Sequence, residues 1–498
     1  MTDGKVKREM FNYRPVVLAA LALAAGIVLG AVLSHILWAT VVLAALSGVA
    51  AVIAFIRKAR VFRVIFTALF AGITAISVYL AATLVTGTGG FAFVTGQVTA
   101  EGQYGSSKYT LKDVFIDGEE AGANMYLTTE SELKTGDVVS FAADVSVYDP
   151  NIFDSYDSVY FKNNIRYEAE CEEVTVDGSG KLTVFERLDK RLEEVLNEFS
   201  GEQAGGVLKG LIVGDTSGID RDTTEAIRTA GLQHILSVSG LHVGFLCSMI
   251  YALLRLIGRP PKKALKVLAV VLPLYGAMTG FPAGVLRAGI TALVFLWAQS
   301  SGRRFDALNA LSLSAIIILA VCPWELFELG FQMSFAAMLG IVLFAAPIKR
   351  ALGGGEKISR ALSSAVSVSV AANIVLLGLV VSVFGTFAIY FLPANLIAVP
   401  YVSVIYSLAV PIAFLSLFIP FMGYLLMPLG YLTDGFILFS EAIAALPGAT
   451  ASMEMPFIGA ALWAFGWIFA SGINLADKRF RYGVLAFTTA VFVVLLFV

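Results

Sequence analysis

The 498-residue chain is 58% hydrophobic and only 14% charged, with a mean hydropathy of +0.81. This excludes an ordinary soluble globular protein and sets the class as an integral membrane protein. A formal net charge of −2, from 35 basic and 37 acidic residues, excludes a general polycation for nucleic acid or anionic lipid, so any such contact must be local. Cys171, Cys247 and Cys322 form no CxxC pair, which argues against a disulfide framework, a zinc ribbon and a thioredoxin-type site.

Apolar runs long enough to span a bilayer start near Pro15, Ile36 and Phe62. The first is too long for a cleavable signal and a second follows after a short gap at Ser34 and His35, so it is expected to stay as a membrane helix. Lys5, Lys7, Arg8 and Arg14 precede the first span, and Arg57, Lys58, Arg60 and Arg63 separate the second from the third. Enrichment of basic residues in cytoplasmic loops places both clusters, and the N-terminus, in the cytoplasm. The third span then exits, leaving the polar stretch that follows outside.

That stretch, within residues 89–183, reads as strands. Phe91–Val98, Tyr109–Ile116 and Asp137–Val145 alternate in polarity and are rich in β-branched and aromatic residues, with glycine-containing turns between them. About five short strands suit a small OB-type barrel, a fold often used for single-stranded nucleic acid. The basic residues there are Lys108, Lys112, Lys134, Lys162, Arg166 and Lys181, against a majority of Asp and Glu. An acidic surface repels phosphate, so a structural or partner-docking role stands beside a DNA-gripping one.

Residues 184–230 form a linker. Leu188, Leu192, Val195, Leu196 and Phe199 recur at helical spacing, predicting an amphipathic helix that lies along the membrane surface or packs on the barrel. From residue 231 to 498 apolar stretches return almost without pause. Basic clusters at Arg255–Lys266, Arg303–Arg304, Lys349–Arg360 and Lys478–Arg481 fit a cytoplasmic side throughout, giving 10 to 13 helices by a rough count and an outside C-terminus. Tyr390 to Pro420 reads as one long helix, two short ones or a re-entrant pair. Pro282, Pro393 and Pro400 suggest broken helices, tolerated only where protein or a cavity satisfies the backbone.

The most informative segment is Leu208-Lys-Gly-Leu-Ile-Val-Gly-Asp215 followed by Gly231-Leu-Gln-His-Ile-Leu-Ser-Val-Ser-Gly-Leu-His-Val-Gly244. It resembles the hallmark of the ComEC-type competence family of DNA-uptake channels, differing mainly at Ile235 and Ser237. Gly280–Ala288, Gly330-Phe-Gln-Met-Ser-Phe335, Asn395-Leu-Ile-Ala-Val-Pro400 and, in the polar insert, Pro150-Asn-Ile-Phe-Asp154 extend the likeness over nearly the whole chain. The resemblance implies a polytopic α-helical channel with an extracytoplasmic OB-like barrel, in which residues 231–498 form the channel domain. Single-stranded DNA would be passed into the cytoplasm during natural transformation. Further implied partners are an extracytoplasmic DNA receptor, a cytoplasmic helicase-like motor and a separate nuclease, in contact with membrane lipid. Many members carry a metallo-β-lactamase-like domain with a His-x-His-x-Asp motif after the last helix. With only His35, His234 and His242 present, no such metal site is expected, nuclease activity is not carried over, and the form is read as lacking that domain. No Walker A motif occurs, so a motor must be another protein. Neither a cofactor nor an enzymatic activity is expected.

Physically, the hallmark puts polar groups where they are expensive. His234, Ser237, Ser239 and His242 fall at or within a predicted span, and such groups usually face a bundle interior or a wet path. Ser237, Gly240 and Gly244 permit close approach or a break. These residues either line a pore or hold helices together. Ser239 and His242 could in principle pair as nucleophile and base, but no acid lies nearby in the span. Arg287, in Val285-Leu-Arg-Ala-Gly289, either tracks phosphate or pairs with a buried acid such as Asp215, Glu325 or Glu328. Gln332, Ser334, Asn373 and Asn395 either line the same path or serve as helix glue. Asp215, Gly280 and Pro282 are expected to support the site. Two other classes stay open: a secondary transporter for a small anionic solute, using the broken helices and buried arginine, and a scaffold whose barrel only binds a partner.

Overall fold

The structure is a computed structural model, and it describes residues 14–33, 37–57, 60–82, 90–101, 108–148, 160, 163–353, 357–453, 455–471 and 478–495. His35, the Pro150–Asp154 motif, and Lys5, Lys7, Arg8 and Lys58 of the basic clusters lie outside these residues. Helices α1 (Pro15–Val32), α2 (Leu37–Ile56) and α3 (Arg60–Ala82) occupy the first three predicted spans. Gly26 and Gly72 let α1 and α3 touch backbone to backbone: a Cβ on Gly26 would collide with the Leu69 carbonyl, and one on Gly72 with that of Leu23.

The polar insert is a barrel. Strands β1 (Gly90–Glu101), β2 (Lys108–Ile116), β4 (Asn124–Thr128), β6 (Ile165–Glu170) and β5 (Asp137–Val147) are hydrogen-bonded in that order, and β5 returns to β1 to close the ring. Only the β4–β6 pair is parallel. Read as five strands, this is the 1-2-3-5-4-1 circuit of an OB-fold, with the two-residue β3 (Glu119–Glu120) on the edge of β2 and β7 (Thr175–Ser179) on β5. The pleat sends alternate residues inward, so Val139, Phe141, Ala143 and Val145 of β5 meet Val94, Leu111, Met125 and Leu127 in one core. Buried Arg166 hydrogen-bonds Tyr79 near the end of α3, and Tyr79 stacks on Trp324 at 4.2 Å. The barrel therefore rests on one end of the helical bundle, called the barrel side below.

Helix α4 (Val184–Ser200) opens with a Thr183/Glu186 capping box. The expected amphipathic helix is present, but its apolar stripe neither faces lipid nor packs on the barrel. Leu192 and Leu196 are fully buried in the large core of the membrane block, while Glu186 reaches back to Lys112 of the barrel at 2.9 Å. Helices α5 (Glu202–Val213), α6 (Arg221–Thr229) and the single turn α7 (Gln233–Leu236) lead to the signature helix α8 (Gly240–Leu256). Then come α9 (Pro261–Met278), α10 (Ala283–Ser300), α11 (Ala307–Val321), α12 (Leu329–Leu352), α13 (Lys357–Phe384), α14 (Phe391–Ser416), α15 (Met427–Ala444), α16 (Phe457–Ala470) and α17 (Lys478–Leu495). Short strands β8 (Thr386–Ala388) and β9 (Thr450–Ser452) pair with each other, bringing both ends of the α14–α15 hairpin together.

Among the described residues seven helices are long and apolar enough to cross a membrane, and four more are shorter but apolar. The protein is a multi-pass α-helical membrane protein with an OB-like insert. Of the three readings of Tyr390 to Pro420, the structure has the one long helix, which runs through Pro400 and Pro411 to Ser416, so the break expected at Pro400 is corrected. Pro282 does not break a helix either: it caps the start of α10, where a fixed φ and a missing N–H cost nothing.

Candidate functional site

The signature forms a turn followed by a helix start. Ser237 is extended, and Ser239 is the N-cap of α8. The Leu241 N–H donates to Ser239 Oγ at 3.3 Å, and the Ser239 N–H donates to His242 Nδ1 at 3.1 Å. An imidazole thus takes the place that Glu or Gln usually holds in a capping box. Accepting at Nδ1 leaves the proton of the neutral ring on Nε2, and that atom is buried with no partner among the described residues. His242 is fully buried, 4.8 Å from the Tyr406 ring. Ser239 Oγ lies 3.3 Å from Nδ1, but that nitrogen accepts a backbone proton, so the pair acts as a cap.

Beside this helix start lies Arg287 of α10. Its Nη1 donates to the Ser334 carbonyl of α12 at 2.7 Å, and its Nε is buried without a partner among the described residues. The other end of the guanidinium fills the space over Gly240, where any Cβ would collide with Nη2. Gly284 brings α10 close enough that a Cβ there would sit 3.5 Å from Ser334 Oγ and 3.8 Å from the Gly240 nitrogen. Ser239, Gly240, His242, Arg287 and Ser334, scattered over the sequence, are therefore gathered at the barrel-side ends of α8, α10 and α12.

No carboxylate pairs with Arg287 among the described residues, which corrects the structural-pair expectation. Asp215 is taken by Lys209 at 2.7 Å. Glu328 lies beside Gly330 with one oxygen unpartnered, and Glu325 is buried. A guanidinium aimed at the N-terminus of a helix adds positive charge to positive dipole, an arrangement that attracts an anion.

His234 is solvent-accessible although protein surrounds it, and it lies within hydrogen-bond range of the Asn395 side chain and the Gly231 backbone. Ser237 is exposed as well. Polar side chains left accessible at a membrane bundle suit a wet surface rather than hydrocarbon. The remaining residues are more local. Asn395 donates to the Phe391 carbonyl at 2.6 Å and Asn373 to that of Ser369 at 3.0 Å. Gln332 donates to the carbonyls of Leu326 and Phe327 at 3.1 and 3.2 Å, fastening the turn before α12. Gly280 takes φ +71° in the α9–α10 turn, where Phe281 follows at φ +52°.

Lys209 was not singled out in the sequence. Its ammonium is 5% exposed and meets Glu193 at 2.6 Å, Asp215 at 2.7 Å and Asp189 at 3.2 Å. Burial alone would lower its pKa, but the surrounding carboxylates outweigh burial and raise it. Asp215, also penalised by burial, is held below the usual carboxylate range by Lys209 and by the Ser217 N–H at 2.9 Å. Asp189 is pushed up, because burial outweighs its share of the lysine. A lone lysine within the apolar run Val207–Val213 was the available signal.

The profile of the competence protein family matches residues 211–478, more than half of the chain and including the assembled turn. The chain belongs to the competence protein family. It is similar to "ComE operon protein 3" of Bacillus subtilis (strain 168), 30% identical over 43% of this chain and 27% of that protein. "Competence protein ComA" of Neisseria gonorrhoeae is 25% identical over 43% of this chain and 31% of its own length. The match thus spans about a third or less of these curated relatives. No solved structure gives a significant match.

Proposed function

We propose that this competence-family protein passes a single DNA strand through the cytoplasmic membrane in natural transformation, entering from the barrel side and leaving into the cytoplasm. The observation that carries the reading is Arg287, a guanidinium with no acid partner among the described residues, held against the N-terminus of the signature helix. A structural arginine would be neutralised. An unpaired one, with accessible His234 and Ser237 in the same signature segment whose helix it faces, suits transient contact with one phosphate after another. Clustering of basic residues in the loops opposite the barrel supports a cytoplasmic N-terminus and an outside barrel. A DNA receptor outside, a helicase-like motor inside and a separate nuclease would complete the process.

The test is expression in a transformable recipient lacking its own channel, measuring nuclease-protected entry of labelled donor DNA. Wild type should rescue entry, and Arg287→Ala should lower it at least about tenfold, the scale of one lost charge-assisted contact, with Arg287→Lys in between. Failure of the inserted wild type to rescue, together with saturable flux of a small anion in proteoliposomes, would replace this reading with a solute transporter.

A further inference from the structure

The segment from Phe391 to Ala444 has the length and hydropathy for two crossings, yet the neighbours of α14 place it otherwise. At its start Phe391 lies against Gly231, next to β8. Roughly 15 residues on, about 22 Å along a helix, the Tyr406 hydroxyl donates to that of Tyr275 at 3.0 Å and the ring packs on His242. Tyr275 is in the last turn of α9 and His242 in the first turn of α8, both at the barrel-side end of the bundle. Helix α13 starts at the basic loop opposite the barrel and ends just before β8, which puts Phe391 at the barrel side as well, so α14 runs across that end without descending from it.

Its flanks agree. The Phe199 ring meets Tyr424 at 5.2 Å, and Ser200 Oγ donates to the Leu426 carbonyl at 3.5 Å. Up to that contact α4 exposes Arg187, Arg191, Glu194 and Glu198, and α6, packed along α15, exposes Arg221, Asp222 and Glu225. Charges such as these are costly at a bilayer centre, so these two helices border water and not hydrocarbon. On the hairpin itself no charged residue occurs from Phe391 to Thr433, and at its tip Phe418, Phe421 and Tyr431 are 80%, 72% and 79% exposed. A turn emerging among cytoplasmic headgroups would be expected to carry basic residues.

We propose that α14 and α15 form an in-plane hairpin, half immersed in the barrel-side leaflet. Its aromatic tip meets lipid at the boundary between headgroups and acyl chains, and α4 and α6 cover its watery face. The occupant of the exposed apolar surface is the lipid of that one leaflet. The hairpin then roofs the signature turn, with Tyr406 above His242, and this holds whatever the protein transports.

The test uses the full chain with its three cysteines replaced by serine and one new cysteine at a time, in oriented membrane vesicles. Glu119→Cys reports the barrel side and Arg303→Cys the opposite side. Phe421→Cys should react with a membrane-impermeant maleimide at least about tenfold more slowly than either reporter, from both sides. A nitroxide at the same position should be relaxed by oxygen in preference to a nickel chelate, at a depth of about 5–10 Å from the barrel-side surface. Labelling from the Arg303→Cys side would mean a spanning hairpin, and labelling from the barrel side at the reporter rate a solvated one; either overturns the proposal. Tyr431→Cys gives a second, independent reading.

Discussion

Lys209 and Arg287 are both basic side chains largely withdrawn from water, but their surroundings differ. Lys209 has carboxylates at 2.6, 2.7 and 3.2 Å. Arg287 has one backbone carbonyl at 2.7 Å, a buried and unpartnered Nε, and a helix N-terminus for a neighbour. Evolution of a stable bundle would favour the first arrangement everywhere, because an uncompensated buried charge is costly. The lysine joins the linker helix α4 to α5 and to the Asp215 loop, and so serves architecture. The arginine is left with an open valence where a mobile anion could satisfy it.

The largest effect is expected from closing the lysine hub. Lys209→Met leaves Asp189, Glu193 and Asp215 facing one another, and should cost about 2–4 kcal/mol, below the full cost for a buried pair because the carboxylates are partly solvated. Thermal unfolding in detergent checks this, and an unchanged midpoint would mean that water already screens the hub. Arg287→Ala should shift the same midpoint little, within about 1 kcal/mol, since no paired charge is orphaned. A large loss of stability there would show that Arg287 has a structural partner after all and would weaken the phosphate reading.

Acid sharpens the contrast further. Asp215 is held below its unfolded value of about 3.9, so its stabilising contribution is present above that pH and is lost as pH falls through the lower folded value. Wild type should lose stability steeply below about pH 4, whereas Asp215→Asn should start lower and show a flatter acid limb. Lys209, raised above its unfolded value, contributes at all pH values below about 10 and is lost only in stronger alkali. Identical acid limbs in the two proteins would count against the Lys209–Asp215 pair.

Much of the architecture was legible because it rests on local periodicity. Alternation at Phe91–Val98 and Asp137–Val145 gave strands that the barrel contains as β1 and β5, and apolar runs gave the helices. What periodicity could not carry was the fate of particular side chains. Leu192 and Leu196 were visible as an apolar stripe, but not which surface would cover them. Pro400 looked like a break, yet a helix can lose one N–H bond and continue. At the site the residue types were readable and the partners were not. Ser239 and His242 were readable as polar groups at or within a span, whereas only the structure shows that Ser239 lies just outside the helix and caps it with His242. Asp215 was an eligible partner for Arg287 until Lys209, six residues before it, proved to hold it.

The smallest effect should come from Gly240→Ala. Its Cβ would meet Nη2 of Arg287, the far end of a flexible side chain, so the collision can be relieved by moving the guanidinium instead of the backbone. Stability should fall by no more than about 1 kcal/mol. If Arg287 contacts the strand as proposed, DNA entry should fall only several-fold, because the charge is kept and merely loses its position over the helix end. That ordering, Arg287→Ala below Gly240→Ala below wild type in entry while all three unfold at similar temperatures, is what a positioned phosphate contact requires. If Gly240→Ala matched wild type in entry, the guanidinium would be acting as a diffuse positive charge, and its placement against α8 would be incidental to transport.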